Sequence, residues 1–420
     1  MKIIIIGAGP GGCDTAVEAA SRGIETILVN GGKLGGTCLN EGCIPTKTLC
    51  ALDSPDPGRK EAVISRLHSG IETLLRHKLI TTVNGKARLL SPTSVEVEGV
   101  SYSADALIIA TGSVSASLPV SGAELAFDSS KMLESDEVPS RLCVIGGGVI
   151  GLEFASIYKS FGSEVTVLEY CPNILPRFDT DLSKRLKASL ARRGIKIETS
   201  AEVTAISEQS VSFTKKGASF EVPADRVLMA VGRRPALGSL NLDELGIAYT
   251  PKGITVDSEM RTSVPGIYAI GDITGGMMLA HTATAQGRKA LDAICRIPCN
   301  IDMETVPSTV FTTPEAASAG LSEEACEGRE IIAGKASYAA NGKAVASACD
   351  EGWCKVIAEA GTGRILGVHI LGAHAADLIH EAAVLISLGA TLKQACGIIH
   401  AHPTLSEVLA AALRDCASKL

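Results

Sequence analysis

Two glycine-rich loops constrain this chain more than anything else in it. Gly7-Ala8-Gly9-Pro10-Gly11-Gly12 follows the apolar run Ile3-Ile4-Ile5-Ile6, and Gly146-Gly147-Gly148-Val149-Ile150-Gly151 follows Leu142-Cys143-Val144-Ile145. Each reads as a buried strand, a tight turn and a helix start. Glycine at the first, third and sixth positions lets backbone close around a pyrophosphate, while the helix N-terminus supplies N–H donors and positive potential. One such loop is a weak signal. Two in 420 residues predict two Rossmann-like α/β domains, each holding a dinucleotide.

The strand after each loop bears on which dinucleotide. Thr26-Ile27-Leu28-Val29 ends at Asn30, whose side-chain carbonyl can accept from a ribose hydroxyl; an ordinary turn residue is an equally good reading of it. The second strand, at 164–168, ends at Glu169, an acid placed to accept from both ribose hydroxyls and to repel a 2′-phosphate. That favours NAD over NADP, with a solvated strand-end glutamate as the alternative.

Soon after the first loop comes Gly35-Gly36-Thr37-Cys38-Leu39-Asn40-Glu41-Gly42-Cys43-Ile44-Pro45-Thr46-Lys47, with two thiols five residues apart. On an ideal helix five residues rise about 7.5 Å and turn about 500°, too far for a bridge that needs Cα atoms within about 7 Å. A redox-active disulfide therefore requires a distorted turn, which Gly42 and Pro45 permit. Lys47, four residues after Cys43, would share its helical face and favour a thiolate. Zinc binding would call for shorter loops and a second Cys or His pair, and an inert thiol pair is the bland reading. Cys349 and Cys354 repeat the spacing without the glycine lead-in or the trailing Pro-Thr-Lys, and read as structural.

Composition bounds the rest. A hydrophobic content of 46% allows a sizeable core, and a net charge of −7 without basic blocks argues against non-specific nucleic-acid binding. Thirteen cysteines with no secretory signal fit a reducing, cytoplasmic compartment. The apolar start of the chain stops at Gly7 and reads as a strand, and no run approaches the roughly 18 apolar residues of a membrane span.

The cysteine stretch resembles the active site of the class I pyridine-nucleotide disulfide oxidoreductases, most closely their dihydrolipoamide-oxidising members. Further motifs in the family's order extend the resemblance over nearly the whole chain. Ala87 follows Asn84-Gly85-Lys86 where the family's backbone lies by the adenine. Thr111-Gly112-Ser113 matches the turn leaving the first dinucleotide domain, and Val203 and Gly232, in Val231-Gly232-Arg233-Arg234-Pro235, match positions lining the NAD site. Gly271-Asp272 and Met278-Leu279-Ala280-His281 match the return to the FAD domain, with Asp272 on the ribityl chain. From about residue 305 the chain resembles the family's α+β dimerisation domain. It ends in His400-Ala401-His402-Pro403-Thr404-Leu405-Ser406-Glu407.

The resemblance implies an FAD domain at 1–137 and 235–304, an NAD domain at 138–234 and a dimerisation domain at 305–420. Gly36, Thr37 and Lys47 would join the FAD contacts and Glu153 those of the second loop. The family pairs the glutamate matching Glu153 with the lysine matching Lys47. His402 would be the acid/base, supplied across a homodimer and partnered by Glu407, with His400 in a supporting or structural role. The implied reaction is oxidation of dihydrolipoamide on a lipoylated carrier or acyltransferase, with NAD reduced. Glutathione-type disulfide reduction is the enzyme alternative, and a catalytically silent FAD-carrying subunit the non-enzymatic one. A mercuric reductase should end in an added cysteine pair, and only Cys416 is near this C-terminus. Relatives of this kind carry a longer segment after Lys47, so the entry path differs here. A helix is predicted from 59 to about 77.

Overall fold

The computed structural model describes all 420 residues, the side chain of Ser239 excepted. It contains two compact units, one formed by Met1–Ala116, Ser129–Asp136 and Gly232–Ile301, the other by Ser117–Asp128, Glu137–Val231 and Asp302–Leu420.

The first unit is built on a five-stranded parallel sheet in the order Ile267–Ala269, Ala106–Ile109, Lys2–Ile6, Glu25–Asn30, Ile80–Asn84. The central strand carries four consecutive isoleucines, all buried, because a parallel strand covered on both faces has no polar side to offer. Helices Pro10–Ser21 and Ala280–Cys295 pack against each other, and a Cβ on Gly11 would come within 2.9 Å of the Ala283 methyl. The strand pair Ser113–Ser115 and Arg233–Pro235 is antiparallel, at the points where the chain leaves and re-enters the unit. The helix predicted from 59 runs Pro57–Leu75. It begins earlier because the Asp56 carboxylate accepts from the Arg59 N–H at 2.9 Å and Pro57 fills the first helical position, where no N–H is needed.

The second unit holds a four-stranded parallel sheet in the order Lys196–Thr199, Glu164–Glu169, Arg141–Ile145, Arg226–Met229. It also holds a five-stranded antiparallel sheet in the order Ser308–Val310, Ala316–Gly320, Ile365–Leu371, Trp353–Glu359, Ile331–Ser337. Helices Ala375–Ser387 and Glu407–Ala417 bury Ile379, Leu409 and Leu413 against it. Among the described residues no helix is long and apolar enough to cross a membrane.

Candidate active site

In the first unit the predicted residues gather at the carboxyl ends of the parallel strands, where open α/β sheets bind ligands. Gly7 has φ +117°, and a Cβ on Gly12 would land on the Gly7 carbonyl oxygen, so this turn tolerates no side chain at either position. Gly9 faces open space. The Asn30 amide donates to Asn84 Oδ1 at 3.2 Å, and its carbonyl accepts from the Gly32 N–H at 3.4 Å. Ala87 opens the strand Ala87–Ser91 just beyond, after Gly85, whose N–H donates to the Asn30 backbone carbonyl.

The cysteine stretch is set directly on this loop. The Gly35 N–H donates to the Ala8 carbonyl at 2.8 Å, and a Cβ on Gly36 would stand 2.7 Å from Gly9 Cα. From there two short helices run, Gly36–Glu41 and Cys43–Cys50, with Thr37 and Cys38 in the first turn. The distortion demanded by the cysteine spacing falls at Gly42, which ends one helix and caps the next. A Cβ there would lie 3.1 Å from the Thr37 carbonyl oxygen. Pro45 sits within the first turn of the second helix, where its missing N–H breaks no intrahelical bond.

Cys38 and Cys43 are both half-buried free thiols that hydrogen-bond to each other. That shared hydrogen bond, then burial, then charge on Cys43 hold the Cys38 thiol well above its ordinary value; the Lys47 ammonium and the Cys43 N–H oppose the shift. In the reduced pair Cys38 is therefore the sulfur held to its proton. Cys354, of the pair with the same spacing, is fully buried in a strand and its thiol is pushed up by burial. Among the described residues no group of three or more His, Cys, Asp or Glu is placed to hold a metal.

The residues present fit FAD. The buried hydroxyl oxygens of Thr111 and Thr282 have no hydrogen-bond partner, a state that burial makes costly unless a ligand supplies one. Ser113 Oγ donates to Asp272 Oδ2 at 2.5 Å. Met278 and Leu279 lead into the helix Ala280–Cys295, whose first turn, with His281 in it, places the positive end of the helix dipole at this site. Gly232, at φ +114°, accepts from the Ala116 N–H at 3.0 Å.

In the second unit Gly146, Gly148 and Gly151 repeat the geometry. Gly146 has φ +111°, a Cβ on Gly151 would land on the Gly146 carbonyl oxygen, and Gly148 faces open space. Val149 and Ile150 start the helix Val149–Ser160. Glu169 is buried, its carboxylate accepting from the N–H groups of Gly147 at 2.5 Å and Cys171 at 2.6 Å. Each oxygen keeps a second lone pair for a ribose hydroxyl, which fits NAD. The Val203 side chain lies in the core with Cys143, Ile145 and Met229, so any cofactor contact falls to its backbone. Glu153 is buried and accepts from the Phe311 N–H at 3.0 Å.

His402 and Glu407 meet. His402 Nδ1 lies 3.0 Å from Glu407 Oε1, and the His402 side chain is 78% exposed. The Thr404 N–H donates to Glu407 at 2.9 Å. That bond first, and His402 second, hold the Glu407 carboxyl below the usual range. His400 has its own carboxylate, Glu381, at 2.8 Å. The Thr404 contact and the Arg233 contacts described below escaped sequence reasoning. Neither residue type nor spacing announces them.

Residues 1–287 match the pyridine nucleotide-disulphide oxidoreductase family, and residues 306–413 match its dimerisation domain. Over 448 aligned positions the chain is 36% identical to a dihydrolipoyl dehydrogenase of Bacillus subtilis, covering 98% of each. A dihydrolipoyl dehydrogenase of Chlamydia muridarum is 38% identical over 444 positions, 97% of this chain and 95% of the relative. The HOCl-induced flavoprotein disulfide reductase RclA of Escherichia coli superposes with a TM-score of 0.91 at 30% identity, over 100% of this chain and 99% of that one.

Proposed function

We propose, on the premise that this chain belongs to the pyridine nucleotide-disulphide oxidoreductase family, that it oxidises dihydrolipoamide on a lipoylated carrier or acyltransferase protein and reduces NAD. The observation that carries the reading is the Cys38 and Cys43 pair, held across the Gly42 break on a helix seated against the first phosphate loop.

FAD, when bound, supplies two-electron chemistry between the cysteines and NAD. Around it the protein's own groups move protons and exchange sulfur bonds. His402, with Nδ1 held by Glu407, takes a proton from one substrate thiol, and the thiolate attacks Cys38 Sγ. The Cys38–Cys43 bond breaks and Cys43 leaves as thiolate, its charge favoured by Lys47. The second substrate thiol attacks the substrate sulfur of the mixed disulfide and expels Cys38, which regains a proton. One dithiol has become a disulfide, and the cysteine pair holds the two electrons.

In a homodimer, the state the dimerisation domain supports, His402 of each protomer would serve the other's cysteines, so a monomer should be inactive. The exposed apolar side chains of Leu388, 78% exposed, and Ile399, 96% exposed, in that domain fit coverage by a second copy. The thirteen free thiols fit a reducing cytoplasm.

Purified flavinylated protein mixed with dihydrolipoamide and NAD should form NADH. Failure to do so, with reduction of glutathione disulfide by NADPH instead, would overturn the substrate assignment. Replacing His402 by Gln should cost roughly 10²-fold or more in dithiol oxidation with flavin retained. Undiminished turnover would remove it from the mechanism.

A further inference from the structure

We infer that Arg233 is a positioning residue for the flavin, acting through Ser113 on Asp272. The inference rests on the reading of this unit as the FAD site. Arg233 Nε donates to Ser113 Oγ at 2.7 Å, and Arg233 Nη2 donates to the Ser113 carbonyl at 2.9 Å, so the guanidinium grips one residue at two points. A guanidinium offers only donors and a hydroxyl has one proton. With Arg233 occupying a lone pair of Oγ, the Ser113 proton is directed to Asp272 Oδ2, 2.5 Å away.

The Asp272 backbone is held as well, since the preceding Gly271 N–H donates to Gln286 Oε1 at 2.6 Å from the helix Ala280–Cys295. Backbone and one carboxylate oxygen are thereby fixed, leaving Oδ1 to accept from a ribityl hydroxyl. Arg233 reaches Ser113 because the strands Ser113–Ser115 and Arg233–Pro235 pair antiparallel, Arg233 opposite Ser115 and Pro235 opposite Ser113. The fork requires arginine. A lysine keeps the charge but carries its donors on one nitrogen and loses the second nitrogen of the fork.

The test is the FAD dissociation constant of the apoprotein, measured by flavin fluorescence quenching, with thermal melting of the apoprotein followed alongside. Arg233→Gln, Arg233→Lys and Ser113→Ala should each weaken FAD binding about tenfold, as loss of one charge-assisted hydrogen bond does. Arg233→Gln combined with Ser113→Ala should be no weaker than Ser113→Ala alone, and Ser113→Thr should retain wild-type affinity. Additive losses in the double variant, or unchanged affinity in both Arg233 variants, overturn the relay. Should Arg233→Gln not fold, Arg233→Lys and the Ser113 pair decide by the same criteria. Asp272→Ala separates the two ideas: unchanged affinity there sinks the placement of the flavin on Asp272 and the relay with it. A loss there with none in the Arg233 variants sinks the relay alone.

Discussion

Replacing Cys38 by Ser is expected to lower dihydrolipoamide oxidation on the order of 10⁴-fold or more while the flavin stays bound. A serine oxygen neither forms nor exchanges an S–S bond, so no substitute path exists for the sulfur transfer. The location makes the loss specific to chemistry. Cys38 lies in the first turn of Gly36–Glu41, and what seats that helix on the phosphate loop is the approach of Gly36 to Gly9, which the substitution does not touch. Stopped-flow turnover with dihydrolipoamide and NAD, alongside the flavin absorbance of the purified variant, reads both quantities. Cys349→Ser provides the control, because it removes a half-buried cysteine from the pair of identical spacing that lacks the glycine lead-in and the trailing Pro-Thr-Lys. Turnover near wild type in Cys38→Ser would remove the pair from the reaction.

Replacing Lys355 by Met should destabilise the second unit by about 3–5 kcal/mol, the cost of stranding buried charge without its partner. Lys355 and Asp179 are both 0% exposed, with Nζ 2.9 Å from Asp179 Oδ2, 3.0 Å from Glu323 and 3.3 Å from Asp181. Removing the ammonium leaves Asp179 and Glu323 without that counter-charge, while Asp181 keeps the Lys335 ammonium at 2.8 Å. Asp179 also caps the helix Thr180–Arg192, accepting from the Asp181 N–H at 3.0 Å. Asp179→Asn keeps a good cap and removes the stranded charge, so Lys355→Met with Asp179→Asn should recover part of the loss. Urea unfolding followed by Trp353 fluorescence measures it. A Lys355→Met protein as stable as wild type would show that the cluster is hydrated in solution.

The same cluster sets the direction of the pH response. Burial lowers the His369 pKa from its ordinary 6.5, outweighing the pull of Asp179, so the folded ring stays neutral where the unfolded one is charged. Burial alone would raise the Asp179 carboxyl, but His369 and the Lys355 ammonium hold it below the usual range. Both folded pKa values are depressed, so both contributions are present above the unfolded values and are lost as pH falls. Stability of this unit should decline from about pH 6.5 downward, first through His369 and then through Asp179. At the alkaline end, hydrogen bonds to Asp179 and Glu323 raise Lys355 despite burial, and its contribution is lost only as pH rises through that raised value.

What was legible in the sequence was whatever local geometry dictates. Gly7, Gly9 and Gly12 lie within one turn, and their spacing alone specifies a backbone that can close around phosphate. The same holds for Gly146, Gly148 and Gly151. Cys38 and Cys43 required a break between them, and Gly42 supplied it. The helix starts at Pro57, two residues ahead of the predicted start, because the Asp56-Pro57 cap, itself a local signal, sits in a Pro- and Gly-rich stretch that also reads as a turn.

The sequence by itself determined the two phosphate loops, the cysteine pair and the His402 and Glu407 dyad, because each is set by neighbours within a turn or two of chain. Only the tertiary structure decided which groups orient and anchor them. Ser113 meets Asp272 across 159 positions and Arg233 across 120, and Asp179 meets Lys355 across 176. Contacts at such separations exist only once strands have paired and helices have docked, and a linear pattern carries no distance of that kind.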